Sequence, residues 1–233
     1  MRTIDVLHEL QRVDTALAAD RRRLGEIVAA LRDHSALDEA SQRLAQARAE
    51  LERLQTEQRD QELAIETQRA KLKEINTKLY SGKVPSAKEL DNLSREADML
   101  RRLLSAREDT LLELYDRIEA AQAAVEAAER AHREAEAALR ERQAELRAEG
   151  RELEAAVAAL GAQRTELRAK APPRALADYD RLAQARGTAV AELRQRTCQA
   201  CRVSLPLGDE TRARVGQEVV HCPNCGRILW VPL

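Results

Sequence analysis

Three features of this sequence predict a mainly α fold, a long antiparallel coiled-coil helical hairpin followed by a small β-rich C-terminal module. Leucine and alanine recur at seven-residue spacing over most of the chain. The first prolines fall at two breaks, Pro85 and Pro172-Pro173. All four cysteines lie beyond residue 197. The 233 residues include 34% charged side chains, above the roughly 25% of an average soluble domain, and only 2% aromatics with no Phe. So little bulky material cannot fill a two-layer globular interior. It suits long helices, which bury a narrow seam.

The first helix carries the ladder Leu10, Leu17, Leu24, Leu31, then a second ladder, Leu37, Leu44, Leu51, Gln58, Ile65, Leu72, Leu79. The step from Leu31 to Leu37 is one residue short, and such a slip must be absorbed by unwinding, a kink or a break. Asp33-His34-Ser35 supplies poor helix formers there. Tyr80 to Glu89 then reads as a reversal, with a turn at about 80–86. Gly82 can end a helix in a left-handed conformation, Pro85 blocks immediate resumption, and Ser86-Ala87-Lys88-Glu89 has capping-box spacing.

From Leu90 an unbroken heptad runs through Ala97, Leu104, Leu111, Ile118, Val125, His132, Leu139, Leu146, Leu153, Leu160 and Leu167. A strict heptad keeps one seam on a partner helix. The flanking seam is weaker, because it contains Arg107, Arg142 and Glu149, whose charges must reach solvent or a partner across the coil. Reflection through Lys83 sets His132 opposite His34, a tolerated defect or a hinge. The hairpin thus occupies residues 1–171, and residues 172–233 form a short helix ending near Gly187, a weak strand within 188–197 and a closing strand at 227–231. Arg21-Arg22-Arg23 reads as a solvated face.

Cys198-Gln199-Ala200-Cys201 and Cys222-Pro223-Asn224-Cys225 are two C-x2-C knuckles with the spacing of a structural zinc site. Cys198, Cys201, Cys222 and Cys225 are the expected ligands of one Zn2+. An iron–sulfur cluster is the rival four-thiolate reading, and His221 a rival ligand. Four protein ligands leave no open position for substrate, so the metal is expected to be structural. No phosphate loop or nucleophile motif points to an enzyme.

The net charge of -1 argues against a strong phosphate-backbone partner. Arg194, Arg196, Arg212, Arg214 and Arg227, with Trp230, are the candidate contacts of the module. They support either a protein partner docked through Ile228, Leu229 and Trp230 or, as the alternative, a nucleic acid held by the arginines. A second copy of the chain could pair along the Ala-rich face. With no apolar leader segment and no membrane-length apolar run, the expected location is cytoplasmic, with no membrane partner.

These residues also resemble a known family. Ser81-Gly82-Lys83-Val84 with Lys88-Glu89-Leu90, Tyr179-Asp180-Arg181-Leu182, Leu205-Pro206, and Cys222-Pro223-Asn224-Cys225-Gly226-Arg227-Ile228-Leu229 are similar to the bacterial C4-type zinc-ribbon proteins with an N-terminal coiled-coil hairpin. That resemblance implies a non-enzymatic role. Some members of the family are connected with flagellar or type III secretion regulation, through an alternative sigma factor or secretion components, and with RNA binding.

Overall fold

The computed structural model describes residues 2–82, 86–216 and 218–232. Its elements are α1 (Thr3–Leu31), α2 (Ser35–Leu79), α3 (Ala87–Lys170), α4 (Pro173–Arg186), β1 (Val190–Arg194), β2 (Thr197–Cys198), α5 (Leu207–Val215) and β3 (Ile228–Trp230). The expected helical hairpin and small strand region are present. No helix among the described residues is long and apolar enough to cross a membrane.

The chain forms two compact units, residues 34–142 and residues 1–33 with 143–233. In the first, α2 packs against the opening part of α3. Leu54 sits with Leu114 and Ile118, and Ile75 with Ala97 and Leu100, so the heptad positions become small buried layers. The tip shows Gly82 at φ +70 and the Ser86 hydroxyl accepting the Glu89 amide at 3.2 Å, as capping requires. The Lys83-Val84-Pro85 part of the turn lies outside the described residues.

The phase slip at Asp33-His34-Ser35 is a real break: α1 stops at Leu31 and α2 starts at Ser35. One expectation at this joint is overturned. His132 does not face His34, because its Nε2 lies 3.1 Å from the Ser41 hydroxyl, two turns further along α2, and His34 is exposed. The cross-helix pairs Arg48–Glu129 and Arg69–Glu108 show the same stagger, with midpoints beyond Lys83. Packing of the apolar layers, not the loop centre, sets the axial register.

In the second unit the N-terminal turns of α1 are as buried as any part of the chain. Ile4, Leu7, Leu10, Val13 and Leu17 share one core with Leu167, Tyr179, Leu182, Val190 and Ile228. A second core joins Ala191, Leu193, Leu205, Ala213, Leu229 and Val231 to the cysteines. The three-stranded sheet, ordered β2-β1-β3 with β1 parallel to β3, divides the two. Alternate residues of a strand point to opposite faces, so Val190 and Ile228 enter the first core and Ala191 and Leu229 the second. Asp14 joins three helices by accepting the Arg164 guanidinium at 2.6 Å and the Tyr179 hydroxyl at 2.8 Å.

Candidate metal centre

Both knuckles have the same local fold. The amide of Arg202 donates to the Cys198 carbonyl and that of Gly226 to the Cys222 carbonyl, each at 2.8 Å; Cys198 and Cys222 donate to Val203 and Arg227 in turn. The tight turn forces the residue after the second cysteine into a left-handed conformation. Gly226 adopts it at φ +73 without a Cβ to clash, whereas Arg202 adopts it at φ +60 and bears the strain.

The four sulfurs converge. Sγ of Cys198 lies 3.9 Å from that of Cys225, Sγ of Cys201 lies 3.7 Å from that of Cys222, and all four fall within 4.8 Å of one another. A tetrahedral ion with metal–sulfur bonds of about 2.3 Å needs sulfurs roughly 3.8 Å apart, whereas a disulfide needs about 2 Å. The donor set therefore fits one four-coordinate zinc-sized ion. Such an ion would supply a cross-link between the knuckles and no open coordination position.

The backbone also prepares the thiolates. Amides of Ala200 and Cys201 point at Cys198, and those of Asn224 and Cys225 at Cys222, although burial dominates and pushes both thiols up, Cys198 to about 12. Cys201 moves the other way, down to about 6, chiefly because the Asn224 side chain donates to it, with help from the Val203 amide. Asn224 is a site residue that spacing alone did not single out. Its position inside the second knuckle, where its side chain can reach the sulfur of the first, was the available signal. His221 is not gathered into the thiolate group; its ring lies 3.9 Å from Asp178.

Of the candidate partner contacts, Arg194, Arg196, Arg212 and Arg214 are exposed, and Arg227 and Trp230 are partly buried. Ile228 and Leu229 are fully buried, so docking through β3 is corrected: both faces of the sheet are already covered. The indole of Trp230 donates to Asp5 at 3.0 Å and stacks on His8 with 3.8 Å between ring centres. Arg227 donates to the carbonyls of Arg186 and Thr188 at the end of α4, a favourable place for a cation. Arg194, Arg212 and Arg214 pair with Glu192, Asp209 and Glu210 from their own segments. Arg196 is exposed at the β1–β2 turn, where it and Gln195 both have positive φ, the type I′ pattern of a two-residue hairpin.

The N-terminus contributes what motif reading missed. Gln11 clamps β1, its Oε1 accepting the amides of Ala189 at 2.8 Å and Val190 at 2.6 Å while its Nε2 donates to the Val190 carbonyl at 2.9 Å. Arg2 donates to the carbonyls of Arg214 and Val231. Gly216, at φ +67, leaves room for it: a Cβ there would meet Arg2 Cδ at 2.5 Å.

Residues 10–187 match the CT398-like coiled coil hairpin domain, and residues 197–229 match the C4-type zinc ribbon domain. The chain is 31% identical over 153 residues to the Mycobacterium tuberculosis protein Rv2229c, a stretch covering 65% of this chain and 62% of that protein. It therefore spans less than two thirds of the length of that relative. The structure of CT398 from Chlamydia trachomatis superposes with a TM-score of 0.70 at 19% identity, covering 99% of this chain and 94% of that one. A Mycobacterium smegmatis structure superposes with a TM-score of 0.63 at 24% identity, covering 100% of both chains. These two show the fold.

Proposed function

Because this chain belongs to the CT398-like coiled coil hairpin family and ends in a C4-type zinc ribbon, we propose that it is a non-enzymatic cytoplasmic adaptor whose zinc-cross-linked ribbon docks a protein partner. The convergence of four sulfurs at 3.7–3.9 Å between paired cysteines is the observation that carries this reading. It makes one structural ion the natural occupant and gives the ribbon a rigid surface.

With β3 buried, the docking surface moves to α5 and the first knuckle. Leu207 is 65% exposed and Val215 55% exposed, and Val203 is exposed with them. On α5, Arg212 and Arg214 are matched by Asp209 and Glu210, which favours apolar docking there over a phosphate backbone held by counterion release, while Arg196 and Arg202 beside the first knuckle are exposed and make no ion pair among the described residues.

The test is affinity capture from cytosol with the intact protein and with a Leu207→Glu/Val215→Glu variant, both loaded with zinc. The adaptor reading expects a defined protein to be lost from the variant, with binding only weakly dependent on salt. Recovery of RNA that dissociates steeply with salt, or equal capture by both proteins, would remove the reading.

A further inference from the structure

We propose that an apolar groove between α1 and α3 is a self-association site, at which a second copy of this chain packs antiparallel about a two-fold axis beside Gly150. The inference goes beyond the adaptor reading and does not rest on it. The groove lies wholly within the compact unit of residues 1–33 and 143–233. Leu24, Ile27, Val28 and Leu31 of α1 form one wall, and the turns of α3 from Leu146 to Glu154 form the other.

The coil is left open at this level. In the other unit Leu54, Leu114 and Ile118 close into a buried layer. Here Ile27 is buried, but Leu24, Leu31 and Leu146 are only half-buried and Val28 is 49% exposed. Gly150 helps to keep the groove open, since it has no side chain to lie over the α1 wall; a Cβ there would come no closer than 3.9 Å, to Ile27 Cγ2. Bare backbone at that point also allows close approach from outside.

Both walls repeat the i, i+3, i+4, i+7 spacing of one helix face, in Leu24, Ile27, Val28 and Leu31 and in Arg147, Gly150, Arg151 and Glu154. The two sets lie at one level, because Arg23 donates to Glu149 and Ile27 sits beside Gly150. One axis running across the groove therefore serves both walls. It sets Leu24 against Leu31 of the second copy and Ile27 against its Val28, so that two open grooves close into the core of a four-helix bundle.

The charges on the rim identify the occupant. The same axis sets Arg147 against Glu154 of the second copy at both ends of the contact, while the Arg151 stem crosses the bare backbone of Gly150 with its guanidinium in water. Arg147, Arg151 and Glu154 are exposed and make no ion pair among the described residues; Arg147 reaches only Gln143, at 3.3 Å. Two cations and one carboxylate leave the lining with a net charge too small to select a strongly acidic or basic stranger. An antiparallel copy supplies both the apolar cover and the matching charge. Nine lining residues fall short of the roughly 20 to 30 a side of a standard interface, so the pairing is weak and reversible.

The experiment is sedimentation velocity on the full-length zinc-loaded protein in thiol reductant, from about 1 to about 200 μM, the range of a weak interface. The intact protein is expected to shift from monomer toward dimer across that range. Arg147→Glu and Glu154→Arg each set like charges against one another, and each is expected to weaken dimerisation by about tenfold or more at unchanged helicity. Mixed in equal amounts, the two variants should recover a heterodimer, because each offers the charge that the other lacks. Val28→Ser should weaken the dimer in high salt as well. A monomer at every concentration, a dimer indifferent to both reversals, or a mixture that stays monomeric would overturn the proposal. So would a monomeric intact chain that captures a cytosolic protein lost from the Arg147→Glu variant, since the groove then belongs to another partner. The Leu207→Glu/Val215→Glu variant should dimerise normally, so failure of ribbon docking and failure of self-association are read separately.

Discussion

Asp5 shows how much one side chain can join. It accepts the Trp230 indole and pairs with Arg2 at 2.7 Å, and the guanidinium holds its carboxyl below the usual carboxylate range. His8, stacked on the same indole, is pushed below the ordinary imidazole range by burial, with Glu9, Arg12, Glu192 and Asp5 as the charges around it. Both groups have depressed values in the fold, so each contributes stability that is present above its unfolded value and lost as pH falls through its folded one. Unfolding free energy should therefore begin to fall just below pH ~6.5 as His8 becomes costly to keep neutral. It should fall further below pH ~4 as Asp5 protonates. Trp230 is the only tryptophan, so its emission during denaturation at several pH values reads this site directly. Asp5→Asn should remove its share of the acid part of the slope, leaving that of Asp180, whose carboxyl Arg168 holds below the usual range, and should leave the part near neutrality. A slope unchanged by that substitution would show that the contact carries no linked proton.

Along α2 and α3 the two seams differ in quality, and the polar residues in the second are accommodated by different means. Arg142 is exposed, whereas Glu149 receives a two-pronged hydrogen bond from Arg23 at 2.7 and 2.9 Å. Arg107 is less well served. Its Nη1 reaches Gln61 at 3.2 Å, but its Nε is buried without a partner. A buried polar group left unpaired costs about 1–3 kcal/mol, and replacing an incompletely paired charge by a hydrophobe is often stabilising. Arg107→Leu, which restores an apolar seam between Leu100 and Leu114, should raise stability by about 1–2 kcal/mol, measurable as a higher denaturation midpoint at unchanged slope. A lower midpoint would mean that Arg107 makes a compensating interaction in the coil.

At the scale of the molecule, the metal centre and the start of the chain belong to one compact unit. Gln11, Asp5 and Arg2 hold β1, Trp230 and the carbonyls of Arg214 and Val231, while Leu7 and Leu10 pack in the core shared with Val190 and Ile228. A small ribbon depends on its ion for folding, so removing the ion should loosen the first turns of α1 as well as the ribbon. Chelation, or Cys198→Ser, is expected to shift Trp230 emission toward that of exposed indole and to accelerate amide exchange in residues 3–17. Helicity in residues 34–142, a separate compact unit, should persist. Protection of residues 3–17 that survives complete metal removal would show that α1 holds the ribbon without help from the ion.

What was legible in the sequence was whatever a local or periodic signal encodes. The heptads identified the helices because burial on a helix repeats with its turn. The slip at Leu31 identified the break, and the paired cysteines identified the ligand set because a tight knuckle presents two sulfurs at fixed spacing. Helix α5 was missed, since Leu207–Val215 holds one buried residue, Ala213, and has almost no amphipathic pattern. The β1–β2 turn lacked the usual glycine or asparagine signal and is formed by Gln195 and Arg196 at positive φ. Only the tertiary structure could decide that Ile228 and Leu229 are interior, that His132 meets Ser41, and that Gln11 clamps β1 from 179 residues away in sequence. Periodicity states that a face is buried but not against what. The choice of partner and the axial register come from long-range packing, which leaves no repeat in the chain.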